Sequence, residues 1–285
     1  MKISIIIPTY KPQSYLWECL SSLSNQTFPK EDYEILLVLN GCENPYKLEI
    51  ESFISKRNSN VNIQLIHTLD AGVSNARNIA LSYVKGEYVT FIDDDDFVSP
   101  LFLEEMYSKA SSDTLALCYP YAFIDGDMTQ LPFPLTSHYV ERVKFGKQKY
   151  IKARKYFSGP CMKLIPSSFV KNSTFDTSLA NGEDCLYMFL ISRYFKYVDF
   201  TSPQAIYYRR YRNNSAITTK RSLRNLLSNW GKVMLKYTQI YLKSPQSYNM
   251  IFYFTRMLGA LKNILNLEQR FIQTHKCGDI KSYKT

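Results

Sequence analysis

Between Ile3 and Ile92 the chain repeats one unit: a short apolar run, then a segment whose apolar residues fall three and four apart. The runs Ile3–Ile7, Glu34–Leu39, Val61–Ile66 and Glu87–Ile92 read as buried strands. Residues 13–26, with Leu16, Cys19, Leu20 and Leu23 on one stripe, read as a helix, as do 45–56 and 76–84. Pro8 is expected to stop the first strand, and Gly86 to cap the third helix at its C-terminus. Consecutive parallel strands need a long crossover, and a helix supplies it. The alternation therefore predicts an α/β domain of the doubly wound type with a mainly parallel central sheet. Ligands of such sheets bind beyond the carboxyl ends of the strands. Those ends are Pro8-Thr9-Tyr10, Leu39-Asn40-Gly41, His67 to Gly72, and the stretch after Ile92.

That last stretch is Asp93-Asp94-Asp95-Asp96. Four adjacent carboxylates repel one another, and no basic residue lies among them. A divalent cation such as Mg²⁺ relieves the repulsion, because hard cations take oxygen ligands and bridge carboxylates to substrate phosphates. The alternative is a solvated acidic loop, with Asp96 or Ser99 capping a helix that Pro100 opens. The glycine fingerprints of dinucleotide-binding and P-loop proteins are absent, which disfavours both classes. Asp70 to Asn78 opens the third helix with a flexible turn. Arg77, one turn in, either reaches a base or phosphate with its fork of donors or is a surface arginine.

The second half is less regular. A strand is expected from Ser112 to Tyr121, and a crossing loop over residues 125–147. Eight basic residues and no acid lie between Arg142 and Lys163. The Asn181-Gly182 turn places Glu183 and Asp184 at a helix start. They are either acids matched to the helix dipole or a general base at the mouth of a site. Arg209, Arg210 and Arg212 face a diphosphate or line an exposed edge strand. Together with Lys163 and Glu183 they are the candidates for contacts to acceptor or phosphate.

The formal net charge is +10, and most of it lies late in the sequence: from Ser222 onward ten Lys or Arg stand against Glu268 and Asp279. Segments 222–243 and 250–265 are amphipathic helices split at Ser244-Pro245. They form either a hairpin packed on the preceding domain or on a second subunit, as in a homodimer, or a basic surface lying on an anionic membrane. His275 to Thr285 reads as a frayed tail. The division expected is 1–218, with halves 1–97 and 98–218, followed by a helical extension over 219–285. The six cysteines, Cys277 among them, form no CxxC pair, which suggests a reducing compartment. The N-terminus starts directly on a strand, and no run of about 18 apolar residues exists, so neither signal peptide nor transmembrane helix is expected. The location implied is cytoplasmic, with peripheral contact at the membrane's inner face.

Four stretches together resemble the family-2 glycosyltransferases of GT-A fold, over roughly residues 1–215. ISIIIPTY is similar to that family's first strand and Pro-Thr-Tyr turn. GVSNARNIAL resembles its Gly-x-x-x-Ala-Arg-Asn helix start, FIDDDDF its Phe-Leu-Asp-x-Asp-Asp metal motif, and NGEDCLYMF its Gly-Glu-Asp acceptor-side motif. The resemblance implies an inverting transfer of a sugar from a nucleotide-sugar donor, usually a UDP-sugar, with Mn²⁺ or Mg²⁺. The acceptor implied is a hydroxyl of a cell-surface glycan precursor such as a lipid-linked oligosaccharide, in bacterial cell-envelope polysaccharide biosynthesis. Carried over by position, Pro8, Thr9 and Tyr10 border the nucleoside, Arg77 contacts the base, Asp93 lies near the ribose, Asp95 ligates the metal, and Asp184 is the catalytic base. Asp94 and Asp96 leave the metal register open by one residue; metal and UDP are expected to bind together at Asp93 and Asp95, with Asp94 a further donor-site candidate. Where the family usually has Asp-Asp-Gly-Ser, this chain has Leu39-Asn40-Gly41-Cys42-Glu43, and Asn40 is the residue left to hydrogen-bond a base. Two other classes compete. A non-catalytic protein binding a nucleotide sugar or nucleic acid draws on the basic extension, but the carboxylates repel a phosphodiester backbone, so no nucleic-acid partner is expected. A sugar nucleotidyltransferase would need a glycine-rich loop that is missing after the first strand.

Overall fold

The structure, a computed structural model, describes residues 1–56, 60–212 and 223–276, with the backbone alone for 223–226 and 266–276. Cys277, the tail after it and the expected boundary at 218/219 lie outside the described residues.

The first half follows the alternation. In order come β1 (Ile3–Thr9), α1 (Ser14–Ser24), β2 (Tyr33–Asn40), α2 (Tyr46–Lys56), β3 (Asn62–Thr68), α3 (Val73–Tyr83) and β4 (Tyr88–Phe91). The four strands run parallel in the order β3-β2-β1-β4. β1 and β2 are buried along their whole length, which is why they read as unbroken apolar runs.

Two expectations fail here. Pro8 does not end β1: it pairs in register with Val38. The even residues of β1 bond toward β4, as Ile6 does in accepting the Ile92 N–H. β4 stops at Phe91, so the N–H that Pro8 lacks would point beyond a strand that has already ended. Gly86 is not the cap of α3, whose C-cap is Val84. It is a glycine because a Cβ there would lie 2.5 Å from the backbone nitrogen of Ser4.

The second half comprises β5 (Phe97–Val98), α4 (Phe102–Lys109), β6 (Thr114–Leu117), β7 (Tyr119–Ile124), β8 (Asp127–Gln130), α5 (Pro134–Arg142), β9 (Gln148–Lys149), β10 (Lys163–Pro166), α6 (Ser167–Val170), α7 (Glu183–Ile191), β11 (Tyr197–Phe200) and β12 (Ile206–Tyr211). The main sheet has eight strands, β3-β2-β1-β4-β10-β6-β11-β9. β10 is antiparallel to both β4 and β6, so the sheet is mixed, not purely parallel. A second sheet, β5-β12-β7-β8, carries the arginine-rich strand.

The strand expected over 112–121 is two strands broken at Cys118, one in each sheet. The loop expected over 125–147 contains β8 and α5, whose Pro134 opens the helix. Neither Asp96 nor Ser99 caps α4. Its N-cap is Leu101, with no side-chain bond, while Ser99 Oγ donates to the Gln204 carbonyl.

α8 (Leu223–Lys243) and α9 (Met250–Lys276) form a hairpin against α7. Tyr237 meets Phe189 edge-on at 5.2 Å, and Tyr248 stacks on the same ring at 5.0 Å. Arg256 donates to the carbonyls of Phe157 and Arg154. Among the described residues no helix is long and apolar enough to cross a membrane, and Cys19, Cys42, Cys118, Cys161 and Cys185 are free thiols.

Candidate active site

The strand ends of β1, β2 and β4, the start of α3, the start of α7 and the outer half of β12 surround one cavity of about 810 Å³. It brings together Pro8, Tyr10, Asn40, Arg77, the four aspartates, Glu183, Asp184, Arg209, Arg210 and Arg212. Thr9 and Lys163 do not line it.

The acidic run is not a solvated loop. Asp96 is buried, and its Oδ1 accepts the Arg210 N–H at 2.8 Å. Asp94 Oδ2 accepts the Thr9 hydroxyl at 2.6 Å, so Thr9 acts beneath the cavity and not in it. Burial pushes the Asp94 carboxyl up to about 7, against the pull of that hydrogen bond. Asp95 is raised too, by burial and by Asp93, while Arg212 opposes the shift. Arg212 Nε donates to Asp95 Oδ2 at 2.7 Å and its guanidinium lies 4.3 Å over the Tyr15 ring. A site that desolvates carboxylates faster than it supplies cations favours a bound positive charge.

Arg77 lies across the floor, only 3% exposed. Its Nη2 donates to Asp93 Oδ1 at 2.9 Å and its Nη1 to Asp184 Oδ1 at 2.6 Å. The base contact expected of Arg77 is therefore not what its fork makes. It joins two carboxylates that come from opposite halves of the domain. Burial raises the Asp184 carboxyl, and Arg77 pulls it back down. Asp184 remains 31% exposed, and its Oδ2 carries no hydrogen bond among the described residues. Glu183 lines the same cavity, so both acids of the turn face it.

Asn40 is also committed elsewhere. Its Nδ2 donates to the Thr9 carbonyl at 2.7 Å and its Oδ1 accepts the Gly72 N–H at 2.9 Å. It ties β1, β2 and the start of α3 together and has little left for reading a base. Tyr10 offers more. Its ring is half exposed at the rim and lies over Gly41, where φ is +89° and a Cβ would come within 2.8 Å of the ring.

Of the arginines on β12, Arg210 is held by Glu18, Asp125 and the Asp95 carbonyl. Arg209 packs over Phe133 and Tyr211 at 5.3 and 5.4 Å and forms no ion pair among the described residues. Lys163, expected at the acceptor, lies on the central strand β10 and is buried. Its Nζ donates to the carbonyls of Gly159 at 2.6 Å and Cys161 at 2.5 Å, and burial lowers it to about 8.

The C-terminal hairpin completes the site from outside. Gly182, with φ +83°, caps α7 and lies so close to α8 that a Cβ would be 3.1 Å from Val233 and 3.2 Å from Trp230. Asn229 Nδ2 donates to the Asn181 carbonyl at 2.7 Å, and its Oδ1 accepts the Ala180 N–H at 3.0 Å. Sequence reasoning missed Asn229 and Trp230. Both sit in an ordinary amphipathic pattern, with nothing local to mark their partner.

The mixed sheet, with an acidic run at the end of its fourth strand and a helix-start carboxylate at the same cavity, is that of an α/β protein resembling the GT-A glycosyltransferase structures. The sequence profile of "Glycosyl transferase family 2" matches residues 4–172, more than half of the chain, and the protein belongs to that family. It is similar to the poly(ribitol-phosphate) beta-glucosyltransferase of Bacillus spizizenii, 33% identical over 201 residues, which cover 69% of this chain and 30% of that one. It is also similar to the poly(ribitol-phosphate) beta-N-acetylglucosaminyltransferase TarS of Staphylococcus aureus, 36% identical over 106 residues, covering 37% and 18%. The chain thus spans about a third or less of these relatives' length. Among solved structures, S. aureus TarS 1-349 in complex with UDP-GlcNAc superposes with a TM-score of 0.69 at 21% identity, over 92% of this chain and 72% of that one. The mannosyltransferase PcManGT from Pyrobaculum calidifontis, in complex with GDP-Man and Mn²⁺, gives 0.59 at 14%, over 98% and 76%. At these identities the likeness establishes the fold.

Proposed function

We propose that the protein is an inverting glycosyltransferase that moves a sugar from a UDP-sugar to a hydroxyl of a cell-envelope glycan precursor. The observation that carries this is the Arg77 bridge. It holds a carboxylate of the acidic run and the carboxylate at the start of α7 to one cavity. The nucleoside fits over the strand ends, with Tyr10 as the exposed ring against which a base can pack.

Among the described residues no three His, Cys, Asp or Glu side chains gather into an all-protein metal cage. Mg²⁺ and Mn²⁺ that share substrate phosphates need only one or two carboxylates. Asp93 and Asp95 fit that need, being clustered, partly desolvated and open to the cavity. When bound there, the ion neutralises charge that develops on the diphosphate leaving group. Asp184 Oδ2 accepts the proton of the acceptor hydroxyl as that oxygen attacks the anomeric carbon. Arg77 fixes the other oxygen, so the base presents one lone-pair edge in one direction. Attack opposite the leaving group inverts the anomeric centre in one step, and no second carboxylate is needed as nucleophile.

The names of the relatives point to poly(ribitol phosphate) as the kind of acceptor. Arg209 is the cation we assign to an acceptor phosphate or the donor diphosphate. The test is calorimetry of UDP with and without Mn²⁺. Affinity should rise with the metal in the parent and not in Asp95→Ala. Equal UDP affinity with and without Mn²⁺ in the parent overturns the assignment of the acidic run.

A further inference from the structure

We infer that the outer face of the C-terminal hairpin is a docking surface for an anionic lipid membrane. The inner face of the hairpin is spent on α7. Among the described residues nothing covers the outer face. On α9, Ile251, Phe254, Leu258, Leu261 and Leu265 recur at steps of three and four, and all are exposed, Leu258 at 64%. On α8, Leu235 and Leu242 stand exposed two turns apart, Leu235 at 59%. A soluble helix that buries one apolar stripe rarely shows a second on its far side.

Charge decides what covers it. No acidic residue occurs from Phe200 to Leu267, while Lys232, Lys243 and Lys262 are exposed on the same two helices. A second copy packed face to face would bring only cations together. An anionic lipid surface takes the lysines at its headgroups and the leucines below them, which is how basic amphipathic helices lie on membranes. Leu227, also exposed, is less than one turn from Asn229 and Trp230, which hold the loop before Glu183 and Asp184. Docking thus keeps the carboxylates of the cavity near the surface.

This inference does not depend on the transfer chemistry, because binding vesicles requires neither donor nor acceptor. The experiment is co-sedimentation of the full chain with vesicles of phosphatidylcholine alone or mixed with phosphatidylglycerol, at low and high salt. Binding to the mixed vesicles should weaken with salt, because exposed charges are screened. Leu258→Asp and the pair Lys232→Glu, Lys262→Glu should each lower it by at least about tenfold. UDP affinity and melting temperature should stay at parent values, since all three side chains are exposed. Equal binding to both vesicle types, or none to either, overturns the inference. So does a dimer in analytical ultracentrifugation that Leu258→Asp dissociates, because the face then belongs to a second copy.

Discussion

Replacing Arg77 with methionine tests the floor of the cavity. The side chain is buried and spends two charge-assisted hydrogen bonds, of 2.6 and 2.9 Å, on Asp184 and Asp93. Removing one partner of a fully buried ion pair costs about 3–5 kcal/mol; Asp93 and Asp184 keep 44% and 31% of their side chains exposed, so the loss here should lie at the lower end, about 3 kcal/mol. For a domain of this size that corresponds to a melting temperature lower by roughly 10 °C. The loss should depend on pH. Burial raises the Asp184 carboxyl and Arg77 opposes the rise, so Arg77→Met lets it climb further. A carboxyl whose folded-state pKa lies above its unfolded value favours the fold while protonated. It loses that contribution as pH rises through the folded value. The deficit of Arg77→Met should therefore be larger at pH 8 than at pH 5, and the acid limb of its kcat profile should move to higher pH. Thermal melts followed by circular dichroism at both pH values measure this. A variant that melts within about 2 °C of the parent at pH 8, or whose deficit is the same at both, would mean that Arg77 does not hold the two carboxylates ionised.

Asp184→Asn should lower kcat by about 10² to 10⁴ with donor affinity near the parent value, whereas Glu183→Gln should be milder; the reverse pattern moves the base by one residue. Gly182→Ala forces a left-handed alanine against Val233 and Trp230, and should cost about 1–2 kcal/mol in chemical denaturation and lower kcat more than it changes donor KM. Lys163→Met leaves the Gly159 and Cys161 carbonyls unpaired and should cost about 1–3 kcal/mol, while calorimetry finds UDP affinity unchanged.

What the sequence revealed follows from how each element is stabilised. β1 and β2 are buried on both faces, so their apolar runs are visible without any tertiary knowledge. β7 and β8 belong to a small sheet with solvent on one side, and β8 is exposed throughout, so no apolar run marked it. Pro134 read as a loop signal because proline breaks helices, yet it is well tolerated in a first turn. The candidate carboxylates could be found because each sits at a strand end or helix start. Their connection could not, since Arg77 and Asp184 are 107 positions apart and meet only in the folded chain. The same holds for Lys163: a basic segment suggested an anion partner, while the fold turned that lysine inward onto two carbonyls.

The cavity is proposed to break the bond between a sugar and a nucleoside diphosphate. The most direct measurement is mass spectrometry of products after incubation with a panel of nucleotide sugars, Mn²⁺ and a hydroxyl-rich envelope polymer. UDP should be released from a UDP-sugar with matching mass gain on the acceptor, and both should be lost in Asp184→Asn. If no nucleotide sugar in the panel is consumed, or if Asp184→Asn consumes it as fast as the parent, the cavity does not carry out this transfer with Asp184 as its base.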